Sequence, residues 1–369
     1  MDKKTLILIF VFTLIPFLFY FNSGTFIDGD SYYYLNAVCN NGANTASSHI
    51  FWIITDLLPC DFFVIKLVYW FVYFLSVFVL TKLVSLFSKN YIYTPLLVSA
   101  TFLCFEFMKF ENDAFGFLFG FFGIYLYFKN TGFKRYLSLI PLLVAFLFWE
   151  GAGYWIIMMP WLFLTYSLFF FEKIFWFALY SDVKIIEHTP WVGFMNYGLM
   201  LPLFYIGFLN TKEMKIKLCF VALILINIFI SKLWILSLPF GLIIAINSID
   251  FLKEKWNLQI KNYIIIAGMV FCLFSSYHVL SQPFTINDVE LIQEGVVLAC
   301  KDYNCLIEND FSAGHTIIFY GGKTKQKSGT TEWKYEGITI DINSPKLIIP
   351  NYCTKINETK FFRLLQCNQ

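Results

Sequence analysis

Charge is scarce in this sequence. Asp, Glu, Lys and Arg make up only 14% of its 369 residues, hydrophobic residues make up 58%, and the mean hydropathy is +0.65. So little charge cannot clothe a water-exposed surface of this size, which excludes an ordinary soluble globule and points to a polytopic membrane protein. The net charge of +2 says little by itself, and no nucleic-acid partner is expected. The cysteine spacings do not resemble a zinc site. No small-residue cleavage site follows the first apolar run, Thr5–Phe21, so a retained first span is expected rather than a removed signal. An internal repeat with broken helices is also missing, which argues against a plain transporter.

What the sequence does have is a succession of apolar runs. After Thr5–Phe21 come Phe62–Phe87, Pro95–Phe107, Phe115–Phe128, Tyr136–Trp149, Tyr154–Phe171, Phe169–Ile186 and Trp191–Leu209. Leu218–Ile249 is too long for one span and is read as two short helices with Lys232 at their turn; Asn262–Val279 is the last. The sum is about eleven transmembrane helices. Trp149–Gly153 is expected as a tight turn, Asn22–Cys60 as an outer loop, and Ile50–Leu58 as a short interfacial helix. The basic start, Lys3-Lys4, puts the N-terminus in the cytoplasm. Alternation from there gathers Lys82, Lys89, Lys129, Lys134, Arg135, Lys212, Lys215 and Lys217 inside. It gathers Asp28, Asp30, Glu111, Asp113, Glu150 and Glu187 outside.

The expected division is a transmembrane domain, residues 1–280, followed by an extracytoplasmic α/β domain, residues 281–369. Asn287–Glu290 resembles an N-cap with Glu at the third helical position, and Val289, Ile292, Val296 and Val297 form a helical stripe. Cys305–Ile307, Thr316–Tyr320, Ile338–Ile342 and Lys346–Ile349 read as strands. Six of the nine cysteines (Cys39, Cys60, Cys300, Cys305, Cys353, Cys367) fall outside or in this domain. Cys300–Cys305 and Cys353–Cys367 are expected pairs in an oxidising compartment. Cys104, Cys219 and Cys272 are expected as core residues. Asn357-Glu358-Thr359 is a three-residue glycosylation sequon, a weak signal.

The chemistry gathers on Lys109-Phe110-Glu111-Asn112-Asp113-Ala114, between two apolar runs. Two carboxylates one residue apart at the mouth of paired membrane helices are costly unless something holds them. A divalent cation with oxygen ligands is one holder; a solvated turn is the alternative. Asp28, Asp30 and Glu187 lie on the same expected face. Lys232 is either a phosphate contact or a snorkelling lysine. His188 is read as a structural neighbour, and His49 and His278 as uninvolved.

Taken in order, these pieces resemble the catalytic subunit of oligosaccharyltransferase, within the GT-C class of membrane glycosyltransferases. Asp30-Ser31-Tyr32-Tyr33 resembles the family's Asp-Pro-Tyr-Tyr, and Glu111-Asn112-Asp113 its Asp-Asn-Glu with the acids exchanged. Trp149-Glu150-Gly151 is similar to its Trp-Gly-Gly turn. Glu187-His188-Thr189-Pro190 looks like its outer-loop Glu-His-Gln-Pro, and Lys232 sits where the family has Arg. Asn309-Asp310-Phe311 with Gly314-His315 resembles the Trp-Trp-Asp-Tyr-Gly region. The resemblance implies Mg²⁺ or Mn²⁺ held by Asp30, Glu111, Asp113 and Glu187, with Asp30, Asp113 and Glu187 catalytic. It implies Lys232 on the donor phosphate and acceptor contacts from Asn309, Asp310 and His315. The donor would be a polyprenyl-linked glycan in the lipid bilayer, and the acceptor a protein or glycan. Two family spans before Glu187 are missing, however, and Glu308-Asn309 stands where the family has Trp-Trp. A non-catalytic GT-C-like scaffold, partner subunit or carrier of lipid-linked glycans is the rival expectation.

Overall fold

The computed structural model describes residues 2–22, 25–26, 30–40, 57–159, 196–198, 200–229, 234–256, 270, 286–302, 304–309, 313–326, 337–343, 349 and 351–367. In chain order the α-helices are α1 (Lys3–Asn22), α2 (Asp30–Asn40), α3 (Phe62–Val84), α4 (Thr94–Ser99), α5 (Leu103–Met108) and α6 (Asp113–Lys129). They continue with α7 (Leu139–Phe148), α8 (Met200–Asn210), α9 (Met214–Phe229), α10 (Trp234–Trp256), α11 (Ile286–Asp302) and α12 (Gly314–Phe319). Short 3-10 segments occupy Tyr91–Tyr93, Gly132–Ser138 and Glu150–Met158.

The expectation of about eleven transmembrane helices is overturned. Among the described residues two helices are long and apolar enough to cross a membrane, Phe62–Val84 and Trp234–Glu254. Apolar composition says that a residue leaves water; it does not say that the backbone runs straight for the roughly 30 Å a span needs. The run Pro95–Phe107 folds as α4 and α5, six residues each, about 9 Å apiece at the helical rise. Between them the chain turns, and the Phe102 N–H donates to the Asn196 carbonyl at 3.1 Å. The run Tyr136–Trp149 divides into a 3-10 segment and the ten-residue α7, which ends where Trp149 becomes extended at φ −145°, ψ 112°. Trp149–Gly153, expected as a turn, opens the nine-residue 3-10 segment instead. Of Trp191–Leu209, the described helix is the eleven-residue α8. Leu218–Ile249 does divide into two helices, α9 and α10. Phe169–Ile186, Lys232 and, apart from Val270, Asn262–Val279 lie outside the described residues, as does most of Ile50–Leu58.

Two compact units are formed. One contains residues 1–18, 69–107 and 112–277; the other contains 19–68, 108–111 and 278–369. In the first, α10 is the axis: its face from Ile235 to Ile246 is almost wholly buried. The Trp155 indole N–H donates to the Leu236 carbonyl at 2.9 Å, and the Tyr197 hydroxyl to the Trp234 carbonyl at 3.0 Å. Aromatic rings fill the rest of this core, with Phe17 stacked on Tyr73 at 5.8 Å and Phe107 tilted against Tyr73 at 5.2 Å. Outward, the same helices carry exposed apolar stripes at helical spacing: Ile140, Leu143 and Leu147 on α7, Leu201, Tyr205 and Leu209 on α8, and Leu218, Val221 and Leu225 on α9.

The second unit carries a five-stranded mixed sheet in the order β2-β1-β3-β5-β4, made of β1 (Leu306–Asn309), β2 (Lys323–Gln326), β3 (Gly337–Ile342), β4 (Cys353–Glu358) and β5 (Phe362–Cys367). β2, β1 and β3 are parallel; β3, β5 and β4 are antiparallel. α11 packs on one face through Val289, Ile292 and Val296, all buried, whereas Val297 of the expected stripe is exposed. A Cβ on Gly295 would sit 3.0 Å from both Ile340 and Leu364, so the missing side chain lets α11 approach the sheet. α11 begins at Ile286, so Asn287 is inside it and not the N-cap the sequence suggested. Thr316–Tyr320, read as a strand, is mostly the helix α12, because the parallel β1–β2 pair needs a crossover between its strands. β2, β4 and β5 were missed. Cys39–Cys60, Cys300–Cys305 and Cys353–Cys367 are bonded, while Cys104 and Cys219 are buried and not disulfide-bonded.

Candidate functional site

In the second unit, the Asp30-Ser31-Tyr32-Tyr33 stretch does not form a loop; it is the first turn of α2, with Asp30 its first residue. Three contacts fix that turn. The Ser31 hydroxyl accepts the Phe110 N–H at 2.8 Å, buried from water. The Tyr32 ring sits in a cage of Phe26, Phe319 and Tyr320, at 6.4, 5.5 and 6.3 Å. The Tyr33 ring meets the His315 imidazole edge-on at 5.0 Å. Near its end, Asn40 donates to the Phe319 carbonyl at 2.9 Å, so α2 lies along α12. Burial pushes the Tyr320 phenol above the ordinary tyrosine range, opposed by hydrogen bonds with Gln293 and Tyr32.

Glu111 is 8% exposed and Lys109 9% exposed, so both are withdrawn from water beside this junction. The same strip of backbone is tied down on its other side by Tyr20, whose hydroxyl donates to the Met108 carbonyl. Lys66 is the group the sequence reading missed. Its ammonium donates to the Tyr20 carbonyl at 3.0 Å and stands 4.3 Å over the Tyr20 ring and 5.5 Å from the centre of Phe26. A carbonyl at a helix C-terminus and two ring faces are a sound setting for a buried cation. Lys66, one of two lysines in the apolar run Phe62–Phe87 and the one near its start, was the available signal.

The structure therefore brings the segments of Asp30, Glu111 and His315 into one unit. Asp113 falls in the other, as the first residue of α6, where the helix dipole favours a carboxylate; next to it, Asn112 donates to the Phe148 carbonyl at 2.7 Å. Asn309 ends β1 and is fully buried, and Glu308 beside it is ion-paired to Lys325 at 2.8 Å. β1 lies between β2 and β3, so its carboxyl end is the point where a parallel sheet's order reverses, the usual place for a ligand crevice. The Asp30 side chain, Glu187, His188, Lys232 and Asp310 lie outside the described residues. Among the described residues no three of His, Cys, Asp and Glu gather closely enough to hold a metal. The carboxylates named from the sequence offer only oxygen, a donor set that suits Mg²⁺ or Mn²⁺ over softer ions.

No protein-family model matches this chain, and no curated protein matches it.

Proposed function

We propose that the chain is a membrane-associated glycosyltransferase that uses a polyprenyl-phosphate- or pyrophosphate-linked sugar, similar in kind to the catalytic subunit of oligosaccharyltransferase. The observation that carries this reading is the Ser31–Phe110 hydrogen bond. Two stretches 79 residues apart, each chosen from the sequence for its acid, meet at neighbouring residues.

By the resemblance, Asp30, Glu111, Asp113 and Glu187 are the carboxylates that would hold Mg²⁺ or Mn²⁺. When bound, the cation supplies Lewis-acid stabilisation of the negative charge that grows on the leaving phosphate. Lys232 adds a compact positive charge at that phosphate. A carboxylate not engaged by the cation positions or deprotonates the acceptor nucleophile. His315, held against Tyr33, and Asn309, at the carboxyl end of β1, are assigned with Asp310 to the acceptor, a protein or glycan.

A bilayer location is supported by the exposed apolar stripes, which water would oppose. The orientation we assign puts the N-terminus in the cytoplasm and the disulfide-bearing C-terminal domain outside. α3 and α10 support it. Their carboxyl ends carry Lys82 and Lys253 and are joined through Asp250, which accepts from Ser88 at 2.7 Å and from Asn90.

One observation favours the rival, a non-catalytic binder of lipid-linked glycans. Glu308 and Asn309, at the acceptor-reading positions of the resemblance, are built into the sheet, one ion-paired and the other fully buried. Purified protein incubated with lipid-linked glycans and acceptor peptides, with and without EDTA, separates the two. The enzyme reading expects EDTA-sensitive transfer or slow donor hydrolysis, lost in Asp113→Ala. Glycan binding without turnover, unchanged by Asp113→Ala, establishes the binder.

A further inference from the structure

Within the first unit, basic residues distant in sequence converge on a single tyrosine. Tyr127, near the end of α6, receives the Lys215 ammonium from α9 both as a hydrogen bond to its hydroxyl and at 4.3 Å over its ring. The Arg135 guanidinium, from the 3-10 segment before α7, lies 5.4 Å from the same ring. Around them, Lys129 stands 5.4 Å over Tyr125, and Lys217 5.3 Å over Phe208 of α8. With Lys134 and Lys212 these make six cations drawn from the segments 127–138 and 210–218, which contain one acid, Glu213. None of the six forms an ion pair among the described residues.

Aromatic faces and a phenol hold some of these cations in place but do not neutralise them. Their charge is thus offered outward from one end of the helices, at the end of α6, the start of α7, the end of α8 and the start of α9. Directly beside it stand well-exposed apolar side chains: Phe133 is 86% exposed, Met214 63% and Leu209 65%. From there the apolar stripes lead away, along Ile140, Leu143 and Leu147 and along Leu218, Val221 and Leu225.

We propose that this end of the unit is a binding surface for anionic phospholipid headgroups, in which Lys129, Lys134, Arg135, Lys212, Lys215 and Lys217 take the headgroup phosphates and Phe133 and Met214 enter the acyl boundary. The proposal rests on the membrane reading and adds the chemistry of the leaflet this end meets. A cation collar followed by apolar stripes matches the vertical order of an anionic leaflet, charge first and hydrocarbon behind it. A nucleic acid or an acidic protein would satisfy the cations but would leave the stripes and Phe133 in water, so a lipid surface is the partner that fits both.

The test uses the full chain in nanodiscs of phosphatidylcholine mixed with phosphatidylglycerol, with the lipids retained on the released protein counted by native mass spectrometry. Retained phosphatidylglycerol should exceed its share of the disc severalfold, and the excess should shrink as salt is raised. The double variant K134E/K212E changes two exposed side chains and should bring the ratio down to the composition of the disc. Lys301→Glu, an exposed lysine of α11, should leave the excess intact. Incorporation with no excess, or an excess untouched by K134E/K212E, overturns the inference while leaving the membrane reading standing. Displacement of the phosphatidylglycerol by an RNA oligonucleotide overturns the choice of lipid. Failure to enter nanodiscs at all overturns the membrane reading itself.

Discussion

The hydroxyl of Ser31 accepts the backbone N–H of Phe110 at 2.8 Å, and both residues are fully buried. This bond places the start of α2 against the strip Lys109–Glu111, so it positions whatever Asp30 and Glu111 do. Ser31→Ala removes the acceptor from a buried N–H, a change that costs about 1–3 kcal/mol. Unfolding of the variant in detergent should show that loss. Donor turnover should fall by more than the unfolded fraction explains; a fall that tracks unfolding alone would make the bond structural only.

Gly207 sits at a close crossing of α8 and α10 in the first unit. A Cβ there would stand 1.9 Å from the Ile244 carbonyl oxygen and 2.7 Å from its carbon. Those are backbone atoms of α10, which cannot turn aside as a side chain can. Small residues at such crossings let helices approach within backbone contact. Gly207→Ala should therefore destabilise by about 1–3 kcal/mol or more, the range for overpacking. Gly207→Leu should prevent recovery of folded protein. A thermal midpoint for Gly207→Ala equal to that of the wild type would show that α8 and α10 separate freely.

Parts of this architecture were legible in the sequence. The stripe Val289, Ile292, Val296 marked α11, and the apolar–polar alternation of Ile338–Ile342 marked β3, although β3 buries Thr339 and Asp341 as well as its isoleucines. Glu111 was singled out with Asp113 as two carboxylates one residue apart between apolar runs, and Asp30 by the resemblance of its stretch to a metal-binding loop. Other parts were not legible. β5 is buried at five of its six positions, so alternation is absent and its pattern does not announce a strand. β4, an edge strand, is exposed at five of six positions and shows no alternation either. Thr316-Ile317-Ile318 has strand-like composition, yet the crossover from β1 to β2 imposes a helix. Helix breaks within uniformly apolar runs, as at Ala100–Phe102, are set by tertiary contacts that composition does not record.

Cys353 and Cys367 face each other in the β4–β5 register and are bonded. Their separation of 14 residues corresponds to about 3 kcal/mol of stabilisation in the loop-entropy account. The Cys353→Ala/Cys367→Ala double variant should lower the unfolding midpoint by that order, and the reductant-treated wild type should fall with it. Unreduced protein should resist maleimide at Cys39, Cys60, Cys300, Cys305, Cys353 and Cys367. Free labelling there would mean that the chain does not reach an oxidising compartment.

Arg363 and Asp341 form a fully buried ion pair at 2.9 Å, directly opposite one another on the central antiparallel strands β5 and β3. Their side chains are 5% and 1% exposed, so neither charge is compensated by bulk water. The single variant of each partner should behave differently from the double variant. Arg363→Met alone takes the guanidinium from a buried carboxylate, and Asp341→Leu alone takes the carboxylate from a buried guanidinium; each should cost about 3–5 kcal/mol. Removing both charges removes the desolvation penalty along with the attraction, so the double variant should lose much less than the two single losses added together. Urea unfolding of the four proteins closes the cycle. Strictly additive losses would mean that each residue is held by other partners and that the pair has no coupling of its own. A positive coupling would show that the pair stabilises this β3–β5 register, since a one-residue slip of β5 would carry Arg363 to the face packed by α11 and away from Asp341.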